Sequence, residues 1–495
     1  MAFRPLPAST PAAEGVDARR VGAFLDALEG SGHTLPRGLV VLRHGRVVAQ
    51  GTWAPRTPER PQLLYSLSKS FTSAAAGLAV ADGLLDLDAT VLSYFPELDS
   101  RVVDPRGRAM LVRHIAAMAS GHTGETWGTA RADREEPVRG FLNQPPQREP
   151  GTVFAYNQSN TYTLGAIVQR LAGTTLLGYL RPRLLDPLGI GPAAWEADPL
   201  GRELGFSGLY ATTDAVARLG QLHLAAGRWE GRELLPPAWV AEATRRHVAN
   251  GTAPDSDWEQ GYGFQFWMSR HGYRGDGAYG QFCLVLPEQD AVVALTSEST
   301  DMRALLALVW EHLLPAFTPQ GGAPPAAAAR DGDDEELRAR LAALALPPGP
   351  GAAAPVEPAE DWAAAPFSGA GDTAARALGV TAARLAAVPG GWELLLETPE
   401  GKTALRHDRP GPHGWSTAER PSAPVPLAFG GGWTGPGAFT ATLLPLEVPH
   451  SMTVTLDLSD RTLAVRPRTI PLHGTRLAVY GAPLREDREI GGHAV

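Results

Sequence analysis

The sequence predicts an α+β fold. An antiparallel sheet is flanked by terminal helices and carries an inserted all-helical lobe, and a small all-β domain follows at the C-terminal end. Three observations predict this. A helix and strands at the start are answered by strands and a helix that end near residue 315, with mostly helical patterns between. From Thr318 the composition turns Pro/Gly/Ala-rich. Beyond about Asp361 the pattern is short strands and turns. The expected domains are therefore 1–318, a linker with a short helix over 319–360, and a small all-β accessory domain over 361–495.

In chain order, "VDARRVGAFLDALEG" places Val21, Phe24, Leu25 and Leu28 at helical spacing and stops at Gly30. "RGLVVLRHGRVVAQGTW" reads as two apolar runs around His44-Gly45, a hairpin. Ser66 to Leu85 reads as one helix with an Ala-rich interior. Helical patterns continue through "LVRHIAAMAS", "NTYTLGAIVQRLAG", "LLGYLRPRLLDPLGI", "TTDAVARLGQLHLAAG" and "PPAWVAEATRR". Strand-like runs return at "YGFQFWMSR", "GQFCLVLPEQD" and "AVVALTS", before a last helix, "DMRALLALVWEHLLPAF". "TPQGGAPPAAAARDG" and "LPPGPGAAAPVEPAE" read as linkers around a short helix, "DDEELRARLAALAL". The last domain carries strand patterns at "GGWELLLETPEGKTALRH", "GAFTATLLPLEV", "SMTVTLDLSDRTLAVRPR" and "TRLAVYG". Alternation from Met452 to Val465 around Ser459-Asp460 marks a hairpin.

A chain of 495 residues with 44% hydrophobic residues has room for a substantial core. The net charge of −9 and the absence of a basic patch argue against nucleic acid or an anionic membrane surface as partner. No secretory h-region opens the chain and no run of ~20 apolar residues occurs. Cys283 is the only cysteine, which excludes an intramolecular disulfide. Together these point to the cytoplasm. Without HExxH or paired CxxC, and with scattered histidines, neither a metal nor another cofactor is expected.

Of the 44 basic residues only two, Lys69 and Lys402, are lysine. Lys69 closes a Ser-x-x-Lys motif with Ser66. At helical spacing, i and i+3 share a face, so Ser66 Oγ and Lys69 Nζ can meet. A serine hydroxyl is a weak nucleophile until a neighbour takes its proton. A buried lysine can do this because desolvation lowers its pKa; arginine stays protonated. A short motif recurs by chance, but two lysines in the whole chain make accident a poor account of this one. Lys402 reads as a solvated hairpin residue. If Ser66 opens the helix, its backbone N–H is free to hold an oxyanion.

These residues resemble the serine β-lactamase and penicillin-binding superfamily, closest to the class C β-lactamase-like branch of family VIII esterases and nylon-oligomer hydrolases. The resemblance rests on "LYSLSKSFTS", "LVRHIAAMASGHTG", "EPGTVFAYNQSNTYTLGAIVQRLAG", "LRPRLLDPLGI" and "GYRGDGAYGQFCLVLPEQDAVVALTS", in the family's order over roughly residues 10–315. It implies a β-lactamase/transpeptidase-like fold. It also implies that Tyr156 is the catalytic tyrosine, a phenol beside the lysine able to act as phenolate. Two departures stand out. The family's Tyr-x-Asn would place Asn at position 158, where this chain has Gln158; Gln158 or Asn160 is the candidate side-chain amide, and Asn160 as a helix cap is the alternative. Lys-Thr-Gly is replaced by Gly275-Asp276-Gly277, which removes the usual cation for a substrate carboxylate, with Arg274 as partial compensation. The strand is still expected to offer a backbone N–H from Ala278 or Tyr279 as second oxyanion donor, with Gly277 permitting close approach. Glu125 and Trp127 in "GETW" either line the pocket or only pack, and Trp258, Tyr262 and Trp267 are core or pocket wall.

The expected function is a serine hydrolase that cleaves small neutral esters or amides through an acyl-enzyme on Ser66. The alternatives are a true β-lactamase or D-amino peptidase, and a non-catalytic binding or scaffold protein of the same fold.

Overall fold

The structure is a computed structural model that describes residues 4–318, 332–419, 425–472, 474 and 476–483. A six-stranded antiparallel sheet is built from β1 (Thr34–Arg43), β2 (Arg46–Thr52), β3 (Trp267–Ser269), β4 (Gly272–Gly277), β5 (Gln281–Leu286) and β6 (Ala291–Ser299), in the order β2-β1-β6-β5-β4-β3. The long central strands are buried on both faces, so their residues sort by the two-residue period of a strand. Leu39, Val41, Leu284 and Val293 join helices α1 (Ala18–Gly30) and α5 (Met302–Leu308) in one core. Val40, Leu42, Cys283 and Val292 face the helical lobe. The lobe is inserted between β2 and β3 and contains α2 (Ser68–Ala81), α3 (Gln158–Ala172) and α4 (Thr213–Leu224). No helix among the described residues is long and apolar enough to cross a membrane.

Asp17 caps α1 by accepting from the Arg19 and Arg20 N–H groups. Asn157 caps α3 through Ser159 N, and Gly173 ends it in the left-handed region at φ 65°. The acidic segment after the composition break forms α6 (Asp333–Ala342). Its Leu337 and Leu341, with Leu344 and Leu346 beyond, pack into the same core as α1.

A second sheet of nine strands follows: β7 (Phe367–Ser368), β8 (Ala382–Val388), β9 (Gly391–Thr398), β10 (Gly401–His407), β11 (Ser416–Ala418), β12 (Leu427–Gly435), β13 (Ala438–Pro445), β14 (Met452–Asp457) and β15 (Thr462–Pro467). The order β10-β9-β8-β7-β15-β14-β13-β12-β11 curls until its edges approach, where His407 Nδ1 lies 2.9 Å from Ser416 Oγ. This near-barrel is filled by Trp392, Phe429, Trp433 and Phe439. The edges that would invite strand addition are thereby brought together. The hairpin around Ser459-Asp460 is β14–β15.

Three local expectations differ. Ser66 does not open an α-helix: Tyr65–Leu67 is a 3₁₀ turn, α2 starts at Ser68, and the helix ends at Ala81 rather than Leu85. The run "YGFQFWMSR" is strand only over Trp267–Ser269, because Gln265 turns the chain with φ 67°. "TRLAVYG", whose Thr475 lies outside the described residues, is not a strand over Leu477–Val479: that segment is a 3₁₀ turn, with Leu477 and Tyr480, one such turn apart, both buried.

Candidate active site

Ser66 sits on the 3₁₀ turn between the short strand Gln62–Leu63 and α2. Its predecessor Tyr65 holds a left-handed φ of 49°, costly for an aromatic residue and maintained only by its surroundings. Those surroundings come from the barrel. The Tyr65 hydroxyl bonds His450 Nε2, His450 Nδ1 lies 2.7 Å from Thr469 Oγ1, and Thr469 donates to Glu298 Oε1 at 2.9 Å. Burial pushes the His450 imidazole down to about 3, so this ring is neutral at physiological pH.

Lys69 follows three residues after Ser66 in the first turn of α2, on the same face of the chain. Lys69 Nζ is 3.0 Å from Ser66 Oγ, 2.6 Å from Gln158 Oε1 and 2.8 Å from the Phe206 carbonyl oxygen. Three acceptors match the three N–H groups of an ammonium. When the amine is neutral, Gln158 and Phe206 hold its two N–H groups and the lone pair faces Ser66. Lys69 is 1% exposed. Burial pulls its pKa from 10.5 to about 7, against a smaller pull from the Glu125 and Asp276 carboxylates.

The Tyr156 phenol lies beside Ser66. Its ring lies 4.7 Å from Lys69 Nζ and stacks on Trp267 at 5.2 Å, with Tyr262 edge-on at 6.2 Å. The resemblance implies a phenolate here, but burial pushes this phenol up rather than down. The site therefore pairs a neutral phenol with a lysine near the midpoint of its titration.

Of the two candidate amides, Gln158 reaches Lys69. Asn160 points elsewhere: its Nδ2 faces Met118 Sδ at 3.6 Å. The helix cap is Asn157. Glu125 accepts from the Gln158 N–H at 3.0 Å and so steadies the start of α3. Trp127 packs on Phe206 and Tyr162 at 5.0 and 4.6 Å. Lys402, remote from the site, pairs with Glu397 at 3.1 Å on an exposed hairpin.

β4 runs against the Ser66 turn. A Cβ on Gly277 would lie 2.1 Å from the Leu64 carbonyl oxygen and 3.2 Å from Leu67 N, so only glycine permits this approach. Ala278 and Tyr279 follow in the tight turn to β5; Tyr279 has φ 66°, and its hydroxyl donates to the Ile470 carbonyl of the C-terminal domain. Gly277→Ala is expected to force the two backbones apart. That should cost about 1–3 kcal/mol of stability and lower kcat by more than the unfolded fraction explains, as checked by urea titration beside ester turnover.

Where Lys-Thr-Gly would stand, Asp276 and Arg274 neutralise each other. Arg274 Nε donates to Asp276 Oδ2 at 2.9 Å, both residues are buried, and Arg274 also lies 4.6 Å from the Trp258 ring. The Phe206 carbonyl, the Tyr65 strain and this ion pair were not visible in the sequence. A backbone oxygen 137 residues from Lys69 carries no side-chain signal.

A family model described as Beta-lactamase matches residues 18–312. The 6-aminohexanoate-dimer hydrolase of Paenarthrobacter ureafaciens is 27% identical over 290 residues, or 54% of this chain and 74% of that protein. The lovastatin esterase of Penicillium rubens is 29% identical over 168 residues, or 29% of this chain and 42% of that protein, so the chain spans less than half of that relative. Among solved structures, a candidate 6-aminohexanoate-dimer hydrolase from Bacillus anthracis aligns with a TM-score of 0.52 at 20% identity, covering 63% of this chain and 87% of that one; this likeness concerns the fold alone. The family match takes in α1, the helical lobe with Ser66 and Lys69, and all six strands of the first sheet, and stops before the barrel: the chain belongs to the β-lactamase family of serine hydrolases.

Proposed function

We propose that this enzyme cleaves small neutral esters or amides through an acyl-enzyme on Ser66. The observation that carries this reading is Lys69, buried, shifted to about 7 and aimed at Ser66 Oγ by two fixed acceptors. The neutral amine takes the serine proton as Oγ bonds to the substrate carbonyl carbon. The N–H of Ser66, with that of Ala278 or Tyr279, stabilises the oxyanion. Collapse breaks the bond to the leaving group, which takes a proton from the Tyr156 phenol, and Lys69 re-protonates the tyrosine. Water then enters by the reverse route and frees the acid. The Arg274–Asp276 pair supports a neutral substrate, because it leaves no cation to spare for a carboxylate. The relatives named for hydrolysis of an amide dimer and of an ester support the same substrate class.

The direct test is p-nitrophenyl acetate with intact mass spectra during turnover. A nitrophenolate burst and an acetyl adduct on the peptide holding Ser66 are expected. No burst and no adduct, with this ester and then with amide substrates, would leave the scaffold reading. Hydrolysis of a chromogenic cephalosporin should stay at background; turnover above it would favour a β-lactamase. Tyr156→Phe is expected to lower kcat by about 10²-fold or more, with the larger loss on amides, whose leaving group needs the proton more.

A further inference from the structure

Arg37 and Arg56 are 1% and 8% exposed, yet each carries N–H groups without a hydrogen-bond partner among the described residues. Arg37 donates from Nη2 to the Leu446 carbonyl at 2.9 Å. Its Nε and Nη1, and the Nε and Nη1 of Arg56, are buried without a hydrogen-bond partner among the described residues. Of the nearby carboxylates, Glu298 attracts both guanidiniums but accepts only through Oε1, from Ser451 N at 2.8 Å and Thr469 Oγ1 at 2.9 Å, while its Oε2 is buried without a hydrogen-bond partner among the described residues; Glu447 takes Arg60 at 3.7 Å and Ala482 N at 2.7 Å. Two guanidiniums stay charged at neutral pH, and leaving several of their donors dry is expensive.

Both side chains line one small cavity, with Arg60, Gln62, Thr52, Thr213 and the barrel's Leu446. Its volume is about 10 Å³, which admits one water-sized occupant and excludes phosphate or sulfate. We propose that Arg37 and Arg56 bind a single halide ion in this cavity, chloride in a cell, at the junction of the catalytic domain and the barrel. A halide accepts from several N–H donors at once and offsets the mutual repulsion of the two arginines. Gln62 fits the same reading. Its Nε2 donates to Thr213 and Thr296 while Oε1 lacks a donor. Turning the amide over would offer the cavity an N–H and leave the oxygen to the threonine hydroxyls.

The site bears on the active centre through the chain itself. Gln62 opens the short strand that ends in the Ser66 turn, and Leu63 N donates to the barrel's Glu447 carbonyl at 2.8 Å. A bound anion would hold this strand, β1 and the barrel together.

The test uses the full chain. Crystals grown in sodium bromide should show one anomalous peak between Arg37 and Arg56. The melting temperature should rise by a few degrees and saturate as sodium chloride or bromide replaces sodium gluconate at constant ionic strength. Arg56→Gln should abolish that rise. Density that refines as water without an anomalous signal would overturn the proposal. So would a peak with no halide dependence of melting, meaning an adventitious ion only, or equal stabilisation by phosphate. If Arg56→Gln fails to fold, the wild-type crystal and titration still decide. All three readouts are independent of turnover, so they stand or fall apart from the proposed esterase chemistry.

Discussion

Ser66→Ala is expected to abolish the acetyl adduct and lower kcat/KM for p-nitrophenyl acetate by about 10⁴-fold or more. The size follows from what is removed. The proposed oxyanion donors and the stacked Tyr156–Trp267 pair are untouched, so substrate is still expected to bind with its carbonyl polarised. What is lost is the bond that divides one hard displacement into two easier steps. Fold and stability should change little, because Ser66 lies half-buried on a turn and loses only one oxygen. Retention of the burst in this variant would move the nucleophile elsewhere and end the proposal.

Lys69→Arg comes next, with an expected loss in kcat of about 10²–10⁴-fold. Arginine can donate to the Gln158 and Phe206 oxygens, but it stays protonated and offers Ser66 no lone pair. The wild-type pH profile carries the same information. A lysine brought to about 7 must lose its proton to act, so kcat/KM should rise tenfold per pH unit below about 7 and level off above it. A limb centred near the ordinary lysine value of 10.5 would contradict the burial seen here. Stability should respond with a definite sign. The folded state binds fewer protons at Lys69 than the unfolded chain between about 7 and 10.5, so this group makes folding more favourable as pH rises through that window. Below it the burial penalty is fully present, on the order of a few kcal/mol. Urea titrations of wild type and Lys69→Met at pH 7 and pH 9 should show the gap shifting in favour of wild type at the higher pH.

Much of the site was legible because its first pair is local. Ser66 and Lys69 are three residues apart, and either an α-helix or a 3₁₀ turn brings such a pair together. The scarcity of lysine singled out Lys69 before any contact was known. The strands of the first sheet were legible from their apolar runs, and the hairpin at His44-Gly45 from its turn chemistry. The choice between Gln158 and Asn160 was not legible. Both lie near the start of α3, and only its packing against α2 selects the residue whose amide reaches Nζ. The extent of "YGFQFWMSR" as a strand was misread because apolar content alone does not reveal a left-handed residue such as Gln265.

By itself, then, the sequence singled out the candidate nucleophile and its lysine, the order of helices and strands, and the presence of a second β-rich unit, all matters of short-range spacing and periodicity. Tertiary structure decided the chemistry those residues can perform. The pKa of Lys69 depends on how completely the lobe and sheet exclude water from it, and its aim depends on a carbonyl brought from Phe206. The neutral Arg274–Asp276 pair and the anchoring of Tyr65 by His450 likewise join positions far apart in the chain. Desolvation and electrostatic pairing are properties of a three-dimensional neighbourhood, and no local pattern encodes them.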